Sequence, residues 1–239
     1  MTTVIKGQPP STEIRQRLKE ENKPVLVSFS GGKDAIATEL ALREDGIETL
    51  LVYMYLIPPG EDGIGLKFVN DGLSKLEEQL GKKIYRYPHP SIYRWLNALV
   101  FQSPERCAII ESAMLPEPTY EQIWELIRQD LGLDPDTWVA DGVRAADSIV
   151  RRASLSRHGI MKAHSRKVSP IADWLKAEVM GIIKKYGVDL PIDYQWFGRS
   201  FDGIDYRFIE PIKRNAPEDY QRILNWFPLA ELEIIRHGL

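Results

Sequence analysis

Five consecutive residues, Ser30-Gly31-Gly32-Lys33-Asp34, join an apolar run to a helix-like pattern and carry the residue types that bind anions. Two glycines allow positive φ and close approach of the backbone to a ligand, and the amides opening a following helix point along the positive end of its dipole. A phosphate or pyrophosphate is the natural guest. The spacing G-x-x-x-x-G-K-[ST] is absent, so a cradle of the γ-phosphate-cleaving ATPase kind is not predicted. The same residues also suit a tight strand-to-helix turn with Asp34 as a helix cap, and the types alone leave both readings open. Downstream, Gly142 is followed by Arg144, Asp147, Ser148 and Arg151. These last four stand at i, i+3, i+4 and i+7, which predicts one face of a helix. Their guanidinium forks suit phosphate oxygens, or else form an Arg-to-Asp pair on a solvated face.

The elements around these residues follow from periodicity. Val25 to Phe29 and Thr49 to Ile57 are continuous apolar runs, as in strands buried on both faces of a parallel sheet, and Asp34 to Glu44 between them carries a helical stripe at Ile36, Leu40 and Ala41. A short helix is predicted from Ser11, possible as its N-cap, to Pro24. Leu73 to Leu80 (helix), Lys83 to Tyr87 (strand), Ser91 to Phe101 (helix) and Thr137 to Ala140 (strand, closed by Asp141-Gly142) continue the alternation. Ala172 to Tyr186 reads as a helix, and Glu218 to Ile235 as another that Pro228 splits. The predicted class is therefore α/β, an open doubly wound, mainly parallel sheet with a helical C-terminal extension. The expected division is 1–23 as an N-terminal helical segment, 24–205 as the nucleotide-binding domain and 206–239 as the extension.

Composition narrows the chemistry. Lys plus Arg is 31 against 34 for Asp plus Glu, a formal charge of -3, which excludes a uniformly cationic nucleic-acid binder. Residues 151–167 nonetheless hold Arg151, Arg152, Arg157, Lys162, Arg166 and Lys167 with no acid. The single cysteine, Cys107, and four histidines without ligand spacing predict no iron-sulfur cluster and no zinc site. Cys107 reads as a small buried hydrophobe rather than a nucleophile. No segment approaches the ~20 apolar residues of a membrane span and none has signal-peptide character, so no membrane association and a cytoplasmic location are expected.

The loop resembles that of the adenine-nucleotide alpha-hydrolase superfamily, the ATP pyrophosphatases or PP-loop proteins, which read S-G-G-x-D-S after the first strand; here Ala35 replaces the final serine. The G-x-R-x-x-[ED]-S-x-x-R pattern of its phosphoadenosine phosphosulfate reductase-like branch is matched by Gly142, Arg144, Asp147, Ser148 and Arg151. The branch's P-I-x-x-W-x-x-x-x-V pattern is matched by Pro170, Ile171, Trp174 and Val179. This last motif is read as architectural, with Trp174 anchoring its helix. A Tyr-x-x-x-Gly segment, Tyr194 to Gly198, is also similar, but the redox and cluster cysteines that reductases place beyond it are lacking.

The resemblance implies an enzyme that binds ATP with Mg²⁺, cleaves it to AMP and pyrophosphate, and adenylates an acceptor for group transfer. It implies a catalytic set of Lys33, Asp34, Arg144 and Arg151. Ser28, Ser30, Gly31, Gly32, Lys33, Asp34, Tyr53, Gly142, Asp147 and Ser148 would contact the nucleotide, with Tyr53 to Tyr55 near the adenine and Asp34 as the metal contact. Truncating Arg144 or Arg151 is expected to weaken nucleotide affinity with little loss of fold stability. The acceptor is expected to be a nucleic acid or a small molecule at the basic segment 151–167, where Tyr194, Trp196, Phe197 and Phe201 either add stacking surfaces or, the preferred reading of these residues, form a satellite core cluster beside a solvated loop; a homo-oligomer or a protein partner is also expected. Two rivals stand beside this reading: a non-catalytic nucleotide-binding regulatory module, favoured by Ala35, and a sulfonucleotide-handling protein that uses a partner's thiols.

Overall fold

The computed structural model of the chain describes residues 2–238. In chain order, α1 (Ser11–Glu21) precedes β1 (Val25–Ser28), α2 (Lys33–Glu44) and β2 (Thr49–Tyr55). Next come α3 (Lys67–Leu80), β3 (Ile84–Pro88), α4 (Pro90–Asn97), α5 (Pro104–Ala113), α6 (Tyr120–Asp130), β4 (Val139–Ala140) and α7 (Ile149–His158). Then follow β5 (Met161–Lys162), β6 (Lys167–Val168), α8 (Lys176–Lys185), α9 (Asp193–Phe197), α10 (Tyr206–Asn215), α11 (Pro217–Trp226) and α12 (Leu232–His237).

The fold is α/β, with one six-stranded sheet in the order β3-β2-β1-β4-β6-β5. β1 runs parallel to β2 and to β4, and β4 parallel to β6, whereas β5 closes the edge antiparallel to β6. Chain order runs one way from β1 to β3 and resumes on the other side of β1 with β4. The strand order therefore reverses between β1 and β4, the point at which open α/β sheets bind ligands beyond their carboxyl ends. Register places Leu26 beside Val139 and Val27 beside Ala140, so the segments leaving both strands emerge together. The side chains of Leu26, Val27, Leu51, Ala140, Ile36 and Leu40 are fully buried, which accounts for the unbroken apolar runs.

The chain forms two compact units. The first holds residues up to Tyr53, 76–85 and 124–190; the second holds 54–75, 86–123 and residues from Pro191 onward. Several boundaries differ from the periodicity, each for a local reason. α3 begins six residues earlier than predicted because the Asp219 carboxylate accepts the amides of Lys67 and Phe68 at 2.6 and 2.9 Å, a cap supplied from far along the chain. α4 stops at Asn97 because Leu99 and Phe101 take positive φ. α8 starts only at Lys176, after a turn at Pro170–Trp174. Pro228 does break the C-terminal helical run, opening a short 3-10 turn between α11 and α12. Ser11 is the first residue of α1 rather than its cap, and its amide is taken by Asp173 instead. Among the described residues no helix is long and apolar enough to cross a membrane.

The second unit is built on apolar side chains that include Phe68, Phe201, Phe208, Ile212, Ile223 and Phe227. Within it His89 caps α4, its Nδ1 accepting the Ser91 amide at 3.0 Å while Nε2 lies 2.9 Å from the Tyr120 hydroxyl. An imidazole that accepts at Nδ1 is neutral and carries its proton on Nε2. Burial, helped by the charge of Arg94, pushes its pKa down to about 4. Between about pH 4 and 6.5 the unfolded chain binds a proton that the folded chain does not, so stability present at neutral pH is lost as pH falls through that window. The thermal midpoint should fall below about pH 6, and His89→Asn, which keeps a cap acceptor but does not titrate, should flatten the fall. Parallel pH profiles for parent and variant would show that His89 is not the cause.

Candidate functional site: a glycine loop at the switch point

After β1 the Phe29 amide donates to the Val52 carbonyl at 2.8 Å, holding the chain extended to Ser30. The turn into α2 is made at Gly31, whose φ of +71° is costly for residues with a Cβ. Gly32 then takes φ -78° and ψ 159° at the N-cap of α2, and its amide donates to Ser30 Oγ at 3.3 Å. Asp34 is therefore not the cap; it lies in the first turn, where a carboxylate also complements the helix dipole. Ala35, the departure from the family pattern, is buried.

The segment leaving β4 meets the start of α2. A Cβ on Gly142 would lie 2.9 Å from both the carbonyl carbon and the Cβ of Asp34, and 3.0 Å from its carbonyl oxygen. Only glycine permits that approach. Thr38 Oγ1 donates to the Asp34 carbonyl at 2.8 Å. Beside it, the Asp141 carboxylate accepts the Val143 amide at 3.1 Å and the Ser169 hydroxyl at 2.7 Å, and burial pushes this carboxyl above the ordinary range. Sequence reasoning saw Asp141 only as the end of a strand; its place one residue before Gly142 was the available signal.

Arg144, Asp147, Ser148 and Arg151 do not share a helix face. Residues 144–147 form a turn, closed by the Asp147 amide donating to the Arg144 carbonyl at 3.2 Å, and α7 begins at Ile149. The cause is Ser148: its Oγ accepts the Arg151 amide at 3.1 Å, so it is the N-cap and the helix cannot extend upstream. The residues still converge. Asp147 bridges Arg144 at 2.5 Å and Arg151 at 2.6 Å, while Arg144 Nε lies 2.9 Å from Asp34 Oδ1 and Lys33 Nζ lies 2.5 Å from Asp34 Oδ2. The alternation Lys33, Asp34, Arg144, Asp147, Arg151 ties both motifs into one charged chain within the first unit. Arg151 at one end reaches solvent best, its side chain 51% exposed; those of Asp34 and Lys33 are 26% and 24% exposed, and that of Arg144 is 5%.

Ser28 ends β1 in register with Val52, and the buried Tyr53 follows that residue in β2. Of the basic segment, Arg166 lies 3.5 Å from Asp136 and stacks over Trp138, and Lys162 and Lys167 lie on the edge pair β5 and β6. Three of the four aromatic residues read as stacking surfaces, Trp196, Phe197 and Phe201, belong to or pack against the apolar cluster of the second unit. Phe201 is buried and packs edge-on to Phe68 and Phe208, and Trp196 and Phe197 pack on the same rings. These five rings pack against one another, as a core cluster requires, and the packing favours that role over a stacking surface for Trp196, Phe197 and Phe201. Cys107 is half-buried on α5, its Sγ 4.0 Å from the Gln102 carbonyl oxygen. Trp174 lies in the turn before α8, half-buried, rather than anchoring a helix from within. Among the described residues no group of three or more His, Cys, Asp and Glu gathers as for a metal ion.

No family model matches the chain, and no curated protein matches it. Among solved structures it is similar to the NH3-dependent NAD synthetase from Campylobacter jejuni in complex with the nitrate ion, at 16% identity over 95% of this chain and 91% of that one, with a TM-score of 0.41. It is also similar to NAD+ synthetase from Burkholderia pseudomallei, at 16% identity over 91% of this chain and 87% of that one, with a TM-score of 0.39. At such values the chemistry must be read from the residues themselves.

Proposed function

We propose that the chain is an ATP-binding enzyme of the PP-loop kind, which breaks ATP between the α and β phosphates and transfers the adenylyl group to an acceptor. The observation that carries this reading is the meeting of the two motifs at the strand-order reversal, where Gly142 packs on Asp34 and Arg144 pairs with it. The chemistry asks little covalent work of the protein: a cradle for the leaving pyrophosphate and cations on the charge that develops. The amides opening α2 supply the cradle, with Ser30, Gly31 and Gly32 shaping it. Lys33 and Arg151, the cations with solvent-reaching side chains, take phosphate oxygens. Arg144 holds the Asp34 carboxylate in place, and Ser148 with Asp147 fixes the turn that presents Arg151.

Mg²⁺ commonly enters with nucleotide phosphates and takes only one or two protein carboxylates. Asp34 fits that role: Arg144 holds one of its oxygens, and the other becomes available when Lys33 turns to phosphate. Held by Asp34, Mg²⁺ would supply positive charge against the phosphates. By motif order the likeness remains to the phosphoadenosine phosphosulfate reductase-like branch, with Tyr53 beside the adenine and the acceptor, a nucleic acid or small molecule, at segment 151–167.

Incubation with labelled ATP and Mg²⁺, followed by product analysis, tests the reading. AMP and pyrophosphate are expected. ADP and phosphate would contradict it, and tight ATP binding with no product under any acceptor mixture would favour the regulatory module that Ala35 suggests.

A further inference from the structure

Resting on that nucleotide-site reading, we infer that the N-terminal segment Thr3–Arg15 is a working part of the site, with Arg15 and Asp173 as positioning residues that act through Arg144. The connecting piece is the turn Pro170–Trp174. On its inner side it holds Arg144: the Trp174 carbonyl accepts Arg144 Nη1 at 3.3 Å, and the Ala172 carbonyl accepts the Ala145 amide at 2.8 Å. Arg144 is ion-paired through Nε with Asp34 and through Nη2 with Asp147, although Nε and Asp34 Oδ1 lack hydrogen-bond geometry, and the turn supplies the partner that is not an acid.

The outer side of the turn is fastened by residues 3–15. The Pro170 carbonyl accepts Arg15 Nη1 at 2.9 Å, and the Asp173 carbonyl accepts the Thr3 amide at 2.6 Å. Ser11 and Asp173 exchange two bonds: the Ser11 amide donates to Asp173 Oδ2 at 3.0 Å and the Asp173 amide donates to Ser11 Oγ at 3.3 Å. The Arg15 guanidinium stacks 5.5 Å over Trp174 and pairs with Asp45 at 2.5 Å. Arg15, Asp173 and Arg144 are all nearly fully buried. Buried groups of this kind have no water to fall back on, so a change at one is felt by its neighbours. A planar guanidinium is needed at position 15, because one flat group must donate along its edge to Pro170 and Asp45 while its face covers Trp174. Loss of Arg15 releases the Pro170 carbonyl and the Trp174 ring, the turn loosens, and Arg144 no longer fixes Asp34 at the loop.

A structural role alone would lower stability without moving affinity, so two measurements are made together. ATP affinity is measured by calorimetry, well below each unfolding midpoint, for the parent, Arg15→Met, the milder Ser11→Ala, and Leu18→Ala as a control in the buried face of α1 whose apolar side chain makes no hydrogen bond to the turn. Arg15→Met should raise Kd about tenfold and Ser11→Ala a few-fold, whereas Leu18→Ala should lower the midpoint and leave Kd unchanged. Chemical denaturation of Arg15→Met, Arg144→Met and the double variant should show a combined midpoint shift smaller than the sum of the single shifts. Additive shifts, or an unchanged Kd for Arg15→Met and Ser11→Ala in a parent that binds ATP, overturn the inference. A parent that binds no ATP removes the nucleotide reading instead, and the denaturation cycle then decides alone whether Arg15 acts on Arg144.

Discussion

Gly142→Val should abolish ATP binding while leaving the second unit folded. The added Cβ would sit 2.9 Å from the Asp34 backbone and side chain, a separation that real Cβ atoms do not hold, so the β4 exit and the start of α2 must part. Overpacking of this sort costs about 1 to 3 kcal/mol of stability. The effect on binding should be larger, a loss of at least ~100-fold in affinity, or about 2.7 kcal/mol, because the displaced atoms belong to the turn that opens the anion cradle. Calorimetry with ATP, beside circular dichroism, checks it. A folded Gly142→Val protein that binds ATP as the parent does would show that the approach of Gly142 to Asp34 serves packing alone.

Arg144→Ala and Arg151→Ala should separate sharply, although the sequence pattern treats the two arginines alike. Arg144 is buried between Asp34 and Asp147, so its removal leaves two carboxylates facing each other across a cavity with their cation gone. Removing one partner of a buried ion pair costs about 3 to 5 kcal/mol, and the partial exposure of Asp34 and Asp147 brings the expectation to roughly 2 to 4 kcal/mol of stability, with binding lost as well. The expectation that truncating Arg144 would spare the fold is thereby revised. Arg151, half-exposed and ion-paired with Asp147, should cost under about 1 kcal/mol of stability when truncated. Its effect should fall on ATP affinity, by ~1.5 to 3 kcal/mol, as for hydrogen bonds to charged groups. Thermal midpoints and ATP affinities for both variants make the comparison. Equal stability losses would contradict the burial argument, and unchanged affinity in Arg151→Ala would remove that side chain from the site.

The parts of the molecule legible in the sequence are those written in local pattern. Val25 to Ser28 and Thr49 to Tyr55 declare themselves as strands because both faces are covered, and Gly31 declares the turn because the chain needs positive φ there. The site was legible as two motifs in order after two strands. What joins them was not. Gly142 reads as a turn residue, and only the packing of β4 beside β1 reveals that its missing side chain makes room for Asp34. The helix drawn through Arg144 fails because Ser148 prefers the cap, a competition between side chain and backbone that spacing alone does not resolve. β5 and β6 carry no apolar run, being two-residue strands in a basic segment at a sheet edge, where lysine guards against further pairing. Trp196, Phe197 and Phe201 are open to a stacking role or a core role until Phe68, distant in sequence, and Phe208 are found against them.

Titration of ATP into the parent and into Gly32→Val tests the central claim, that the Ser30–Asp34 loop is a nucleotide phosphate site. Gly32 suits the test because its φ of -78° and ψ of 159° are open to valine, unlike the positive φ of Gly31, so the substitution imposes no strained backbone conformation. Valine would instead place its branched side chain at the mouth of α2, where the phosphate must approach. The account predicts saturable ATP binding by the parent and a loss of at least ~100-fold, about 2.7 kcal/mol, in a Gly32→Val protein whose circular dichroism matches the parent. Equal ATP affinity in the two folded proteins, or a parent that does not bind ATP, would contradict it.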